Sequence, residues 1–264
     1  MDSLIPLLSL NLALAVILMI AVWLLSLRLR DVSIVDIAWG TTGALIALNT
    51  FFLAGGALHR RLLVTAMTVV WGCRLSFHIA RRWKGKGEDF RYAAMRAERP
   101  GSFPLRSLVT VFLLQALLIW AISLPAQVAQ VHPDPAGFTL FDFFGSALWI
   151  LGFGFETVAD RQLRGFLSDP VNRGRVMDRG LWRYSRHPNY FGDALLWWGI
   201  FLVAAGTPNG WATFFSPLLM TFFLMKVSGV PMLEKALAER REGYREYMRR
   251  TSPFFPWPPR KTNR

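Results

Sequence analysis

The stretch from Leu4 to Leu27, LIPLLSLNLALAVILMIAVWLLSL, runs for 24 residues without one ionisable side chain. A helix of that length reaches across a hydrocarbon core of about 30 Å. In such a core only a helix satisfies the backbone hydrogen bonds of a lone segment. No basic flank precedes the block and no small-residue cleavage site follows it, so it is expected to be a retained helix rather than a leader. Six further apolar blocks lie near Ser33–Ala54, Leu62–Ala80, Leu108–Ala126, Phe141–Val158, Tyr190–Gly206 and Trp211–Val230. The expected fold is all-α: an integral membrane bundle of seven transmembrane helices. From Met232 to Arg250 the spacing of Leu233, Leu237, Tyr244 and Met248 predicts a C-terminal amphipathic helix at the membrane interface or capping the bundle. It stops before the proline-rich run Pro253–Pro259, which must be extended. No internal repeat or low-complexity linker interrupts the chain, and a single domain over residues 1–264 is expected.

The 264 residues are 53% hydrophobic and carry a formal net charge of +13. That charge would suit nucleic acid, but the basic residues cluster between apolar blocks and leave no soluble portion large enough to form a reading head. Nucleic acid is therefore excluded as a partner, and membrane lipids are expected. The segment 81–106 carries eight Lys/Arg, 161–186 seven arginines and the tail after Val230 nine, whereas 127–140 and 207–210 carry none. By the positive-inside rule the N-terminus lies outside and the C-terminus is cytoplasmic. Only His59-Arg60-Arg61 falls on the wrong side. Arginine outnumbers lysine 25 to 5, a bias of GC-rich bacterial genomes, and a bacterial inner membrane is the expected location. The one cysteine, Cys73, excludes disulfides, and four histidines without ligand spacing give no reason to expect a metal.

Ionisable residues inside the apolar blocks are costly and face a cavity or a partner. Asp36 lies a turn inside the second block. Arg74 and His78 are four apart in the third, on one face of a helix. Glu156 and Asp160 repeat that spacing at the end of the fifth, and Asp193 begins the sixth. Asp36 is either a carboxyl that serves a ligand or the structural partner of an arginine such as Arg28 or Arg74. The loop Arg161–Asp193 interleaves its arginines with Asn172, Tyr184, Asn189, Tyr190 and Asp193. Arginine forks suit phosphate oxygens, Asn and Asp suit ribose hydroxyls and amides, and aromatic faces stack on heterocycles. Topology alone needs only the charge, so a nucleotide-type cofactor is the better reading of this stretch. The segment Gly87-Glu88-Asp89-Phe90-Arg91-Tyr92 is a polar, turn-rich loop that either clamps a ligand or is simply solvated.

Tyr184-Ser185-Arg186-His187-Pro188-Asn189-Tyr190-Phe191-Gly192-Asp193, preceded by Gly180-Leu181-Trp182, resembles the C-terminal signature of the steroid 5α-reductase family. Over most of residues 30–259 the chain is similar to the bacterial branch of that family, through Ser33–Gly40, Trp71-Gly72-Cys73-Arg74-Leu75 and Gly87–Tyr92. The Arg-His-Pro-x-Tyr-x-Gly element also resembles membrane sterol reductases and isoprenylcysteine carboxyl methyltransferases, which have a similar Tyr244, Tyr247, Phe255-Pro256 ending. The resemblance implies seven helices that bind NADPH from the cytoplasmic side through region 141–259, with a steroid-like lipophilic substrate deeper among the N-terminal helices. By position, Asn189 and Asp193 would hold the nicotinamide half. Glu156, Asp160, Arg164, Arg173 and Arg175 would hold ribose, phosphates and adenine, and Arg74, His78 and Arg82 the pyrophosphate region. Asn172, Tyr184, Arg186, His187 and Tyr190 complete the expected cofactor contacts. Asp36, Trp39 and Trp71 are the expected substrate contacts, with Asp36 and Trp71 as the catalytic pair that donates to a ketone oxygen. Asp36 stands where the family has a Glu preceded by Gln, and Trp71 where it has a tyrosine.

The activity these residues imply is NADPH-dependent reduction of the conjugated double bond of a lipophilic enone, with 3-oxo-Δ4 steroids as the model substrate. Its rival is an S-adenosylmethionine-dependent membrane methyltransferase. The arginines of 161–186 favour the strongly anionic NADPH over the net-positive S-adenosylmethionine.

Overall fold

The apolar blocks fold as helices in the computed structural model, which describes residues 4–83, 87–227 and 229–260. The first four are α1 (Leu4–Leu29), α2 (Ile34–Leu53), α3 (Leu58–Trp83) and the short α4 (Phe90–Glu98). Helix α5 (Phe103–Ser107) runs through a π-helical stretch, Leu108–Leu113, into α6 (Leu114–Ile122), and α7 (Leu124–Val128) follows. Then come α8 (Leu140–Ser168), α9 (Pro188–Ala205), α10 (Phe215–Phe222), α11 (Val230–Arg240) and α12 (Tyr244–Arg250). No strand occurs among the described residues. Among the described residues, five stretches are long and apolar enough to cross a membrane: Leu4–Leu29, Ile34–Leu53, Leu58–Trp83, Phe103–Ile122 and Gly210–Val227. That is the make-up of a multi-pass membrane protein.

Several boundaries differ from the expected ones, each for a local reason. Helix α8 continues ten residues past Val158, so Arg161–Ser168 is helix and not loop. Glu156, Asp160 and Arg164 follow one another at i, i+4, i+8, and an acid four residues ahead of an arginine supports a helix. The Asn172 side chain donates to the Phe166 carbonyl at 3.1 Å just past the helix end. The fourth block starts earlier and ends earlier than expected, because Ser123 and Pro125 divide α6 from α7. The single C-terminal helix expected over Met232–Arg250 is two, since the chain turns at Gly243 with φ +77°, a conformation open to glycine at little cost.

Packing divides the chain into two compact units, Met1–Asp142 with Val203–Ser216, and Phe143–Leu202 with Pro217–Arg264. In the first, α2 and α3 meet backbone to backbone: a Cβ on Gly40 would lie 2.5 Å from the Gly72 carbonyl oxygen. Small residues at such a crossing let helices gain the close contact that drives association in lipid. Several buried polar residues of this unit are neutral amides and hydroxyls bonded to each other. Asn11 donates to Thr50 at 2.8 Å and to Gln127 at 2.9 Å, and Asn49 donates to Asn11 at 2.8 Å. Thr65 donates to Gln130 at 3.1 Å.

Arg60, the exception to the charge rule, is fully buried here. It pairs with Asp142 at 3.2 Å and donates to the carbonyls of Asp134, Pro135 and Gly137. It is neutralised where it stands. In the second unit α8 and α9 repeat the close crossing, where a Cβ on Gly192 would lie 2.5 Å from the Gly152 carbonyl oxygen.

Candidate functional site

The second unit assembles most of the motif residues on two helices and the loop between them. Trp182 pins that loop to α8 by donating its indole N–H to the Ala159 carbonyl at 3.0 Å, and Gln162 accepts from the Leu181 N–H at 3.0 Å. Pro188 opens α9 at a position where a missing N–H costs nothing. One residue on, Asn189 donates its amide Nδ2 to Asp160 Oδ1 at 3.1 Å. Its carbonyl Oδ1 is buried and has no donor. A buried acceptor left open in this way costs free energy unless something supplies an N–H or O–H. Glu156, Asp160 and Asp193 are buried, whereas Arg164, Arg173, Arg175 and Tyr184 are exposed.

Arg186 and His187 are engaged inside the protein. Arg186 forms a fork on Glu234 of α11, at 2.6 and 3.1 Å, and donates to the carbonyls of Met248 and Thr251, each at 2.6 Å. His187 Nε2 lies 3.2 Å from the same carboxylate, and its ring stacks on Tyr190 with centroids 5.4 Å apart. This buried knot ties the motif to both C-terminal helices. Burial alone would raise the Glu234 carboxyl, but hydrogen bonds from His187 and Arg186 hold it below the ordinary glutamate range. The Ser185 hydroxyl donates to the Phe254 carbonyl at 2.7 Å, and the Trp257 N–H donates to the Tyr184 carbonyl at 2.9 Å. The proline-rich end is thus a strap laid along the motif.

The remaining candidates belong to the first unit. Asp36 and Trp39 lie on α2, and Trp71, Arg74, His78 and Arg82 on α3. Trp71 is fully buried and meets Trp39 edge to face, with centroids 5.9 Å apart. Asp36 is an acceptor from two sides. Arg91 donates to its Oδ2 at 2.9 Å and the Tyr92 hydroxyl to its Oδ1 at 3.0 Å. Its arginine is therefore Arg91, not Arg28 or Arg74.

The Gly87–Tyr92 segment that supplies both donors is packed against the α1–α2 turn, which corrects the solvated reading of it. The Asp89 N–H donates to Ser33 at 2.7 Å, and Glu88 accepts from the Val32 N–H at 2.9 Å and from Arg96 at 2.8 and 2.9 Å. Burial would raise the Asp89 carboxyl, but the Arg91 hydrogen bonds outweigh it and lower it. Burial and the neighbouring Asp36 push the Tyr92 phenol far above its ordinary range, so it stays a donor. Arg91, Tyr92 and Glu234 escaped the sequence reading. The first two stood in a stretch quoted for its polarity, but nothing in the spacing joined it to Asp36. Glu234 lies 47 residues from His187, with no motif to link them.

Residues 22–251 match the protein family described as "Protein of unknown function (DUF1295)". An uncharacterised protein of the yeast Schizosaccharomyces pombe, C594.04c, is 25% identical over 261 residues, covering 89% of this chain and 75% of that protein. No solved structure matches the chain significantly.

Proposed function

We propose that this chain, which belongs to the DUF1295 family, is an NADPH-dependent membrane reductase of the conjugated double bond of a lipophilic enone, with 3-oxo-Δ4 steroids as the model substrate. The observation that carries the reading is Asn189. Its amide N–H is fixed on Asp160 while its buried Oδ1 has no donor among the described residues. An orphaned amide acceptor fits the N–H of a carboxamide such as that of nicotinamide. The exposed Arg164, Arg173 and Arg175 of the same unit suit phosphate oxygens. NADPH, when bound, supplies the hydride. The chain supplies position and electrostatics.

On the substrate side, the part-exposed Trp39, packed on the buried Trp71, offers a flat aromatic wall for a fused-ring lipid. The carbonyl oxygen of an enone gains negative charge as the β-carbon is reduced, and donors held near that oxygen lower the barrier. Asp36 accepts from Arg91 and Tyr92, so its part in this reading is to position those two donors-bearing side chains rather than to donate. Trp71, fully buried beside Trp39, is the second residue proposed for the ketone side.

The reading includes seven spans, with the apolar parts of α8 and α9 as the sixth and seventh crossings beside the five above, in a bacterial inner membrane with the C-terminus cytoplasmic. The internal neutralisation of Arg60 supports that orientation, since it removes one charge from the cluster that opposed it. A reporter fused after Arg264 should be active on the cytoplasmic side. For the cofactor, NADPH fluorescence titration should give saturable binding. Asn189→Ala should weaken it by about two- to twelvefold, the worth of one buried neutral hydrogen bond of roughly 0.5–1.5 kcal/mol. Tighter binding of S-adenosylmethionine than of NADPH would transfer the assignment to a methyltransferase.

A further inference from the structure

Beyond the residues assigned to NADPH, the second unit holds a half-open cavity of about 590 Å³. One wall is the turn Asp178–Arg183; the other is the end of α12 with the strap at Pro259 and Arg260. Four arginines line it: Arg179, Arg183, Arg250 and Arg260. The single carboxylate there, Asp178, is taken by Arg250. Arg179, Arg183 and Arg260 have no side-chain hydrogen bond or ion pair among the described residues.

Three unpaired guanidinium groups around one cavity repel each other. Topology does not require that arrangement, because the positive-inside rule counts charge without regard to where it points. The walls are fixed in advance. The Arg186 N–H donates to the Ser252 carbonyl at 2.8 Å, and the Arg260 N–H to the Arg250 carbonyl at 2.9 Å. The Tyr247 hydroxyl donates to the Trp182 carbonyl at 2.5 Å. On the strap beside the cavity, Phe255 and Trp257 are 58% and 70% exposed, as aromatic residues are where they meet a membrane–water boundary.

We propose that this cavity binds a phosphate-bearing anion, the chemistry shared by an acidic phospholipid headgroup and a soluble phosphate compound. The planar forks of Arg179, Arg183 and Arg260 would take its oxygens in pairs. None of Asn189, Asp160, Arg164, Arg173 and Arg175 lines the cavity, so the proposal does not rest on the cofactor reading.

The test uses the full chain in a neutral detergent and two probes, phosphatidylglycerol followed by native mass spectrometry and inorganic pyrophosphate followed by calorimetry. The variants are Arg183→Gln with Arg260→Gln, and Arg28→Gln with Arg99→Gln as a charge-matched control far along the sequence. Binding of one probe should fall at least about tenfold in the double variant relative to wild type, and stay within about twofold in the control. Loss confined to phosphatidylglycerol supports the cavity and names a lipid as its source; loss confined to pyrophosphate supports it and names a soluble one. Equal behaviour of the double variant and the control with both probes overturns the proposal, because general surface charge then explains the binding. Loss of NADPH affinity in the double variant with both probes unaffected also overturns it, since the cavity would then belong to the cofactor. Should the double variant fail to fold, Arg179→Gln is read by the same criteria.

Discussion

Arg60 and Arg183 belong to one chain and meet opposite circumstances. Arg60 is fully buried in the first unit, with Asp142 and three carbonyl groups around its guanidinium. Arg183 stands exposed at a cavity of the second unit with no partner among the described residues. The contrast extends to groups elsewhere in the two units. In the first, the Asn11, Asn49, Thr50 and Gln127 network and the Arg60–Asp142 pair are satisfied within the chain. The second closes one knot, Arg186 with His187 and Glu234, and leaves the Asn189 carbonyl and three arginines open. A polar group satisfied within the chain contributes to stability. Capacity left over is what a ligand can use.

The strongest way to break that contrast is on its closed side. Arg60→Ala leaves Asp142 buried without its cation, and losing one partner of a buried pair costs about 3–5 kcal/mol. Unfolding of the purified protein in mixed micelles should register a loss of that size. A loss below about 1 kcal/mol, the range of surface ion pairs, would show that Arg60 is not the closed charge it appears by geometry.

Glu234 comes next. Because its folded value lies below the ordinary 4.5, the stability it contributes is fully present above that pH and is lost as the pH falls below it. Glu234→Gln should cost about 1.5–3 kcal/mol at neutral pH, the worth of charge-assisted hydrogen bonds, and should flatten the acid limb of the stability profile. An acid limb identical to the wild type's would remove Glu234 from the knot's energetics. The smallest effect sharpens the comparison within the first unit. Asn49→Leu deletes one neutral hydrogen bond between helices, worth about 0.6 kcal/mol and at most about 1.7 in such settings. A loss approaching that of Arg60→Ala would erase the distinction between neutral network and buried charge.

The helices were legible in the sequence because hydropathy is a local property, and an apolar block such as Leu4–Leu27 has a single solution in lipid. Their ends were less so. The last ten residues of α8 are too polar to read as a span, and only the i, i+4 run of Glu156, Asp160 and Arg164 signals that the helix continues. In the candidate site, Asn189 and Asp160 were both singled out, and the structure joins them at 3.1 Å. What escaped was pairing at a distance: Arg91 and Tyr92 with Asp36, and Glu234 with Arg186. Such pairs are made by tertiary packing, and no residue spacing encodes them. The split of the C-terminal helix at Gly243 was missed for the opposite reason. Its heptad-like spacing persists across the break, so periodicity alone did not show the turn.

The two glycine crossings described above bear on traffic. Where Gly40 faces Gly72, and where Gly192 faces Gly152, the backbones already touch and no side chain stands between them to swing aside. A lipophilic molecule arriving from the bilayer needs a gap that opens and recloses many times. A seam shut at backbone contact has no slack to give, so α2 travels with α3 and α8 with α9 as planks. On the proposed function, the doorway for the substrate opens past some other helix edge, and a bulky residue placed at either glycine pries a plank apart without widening the door.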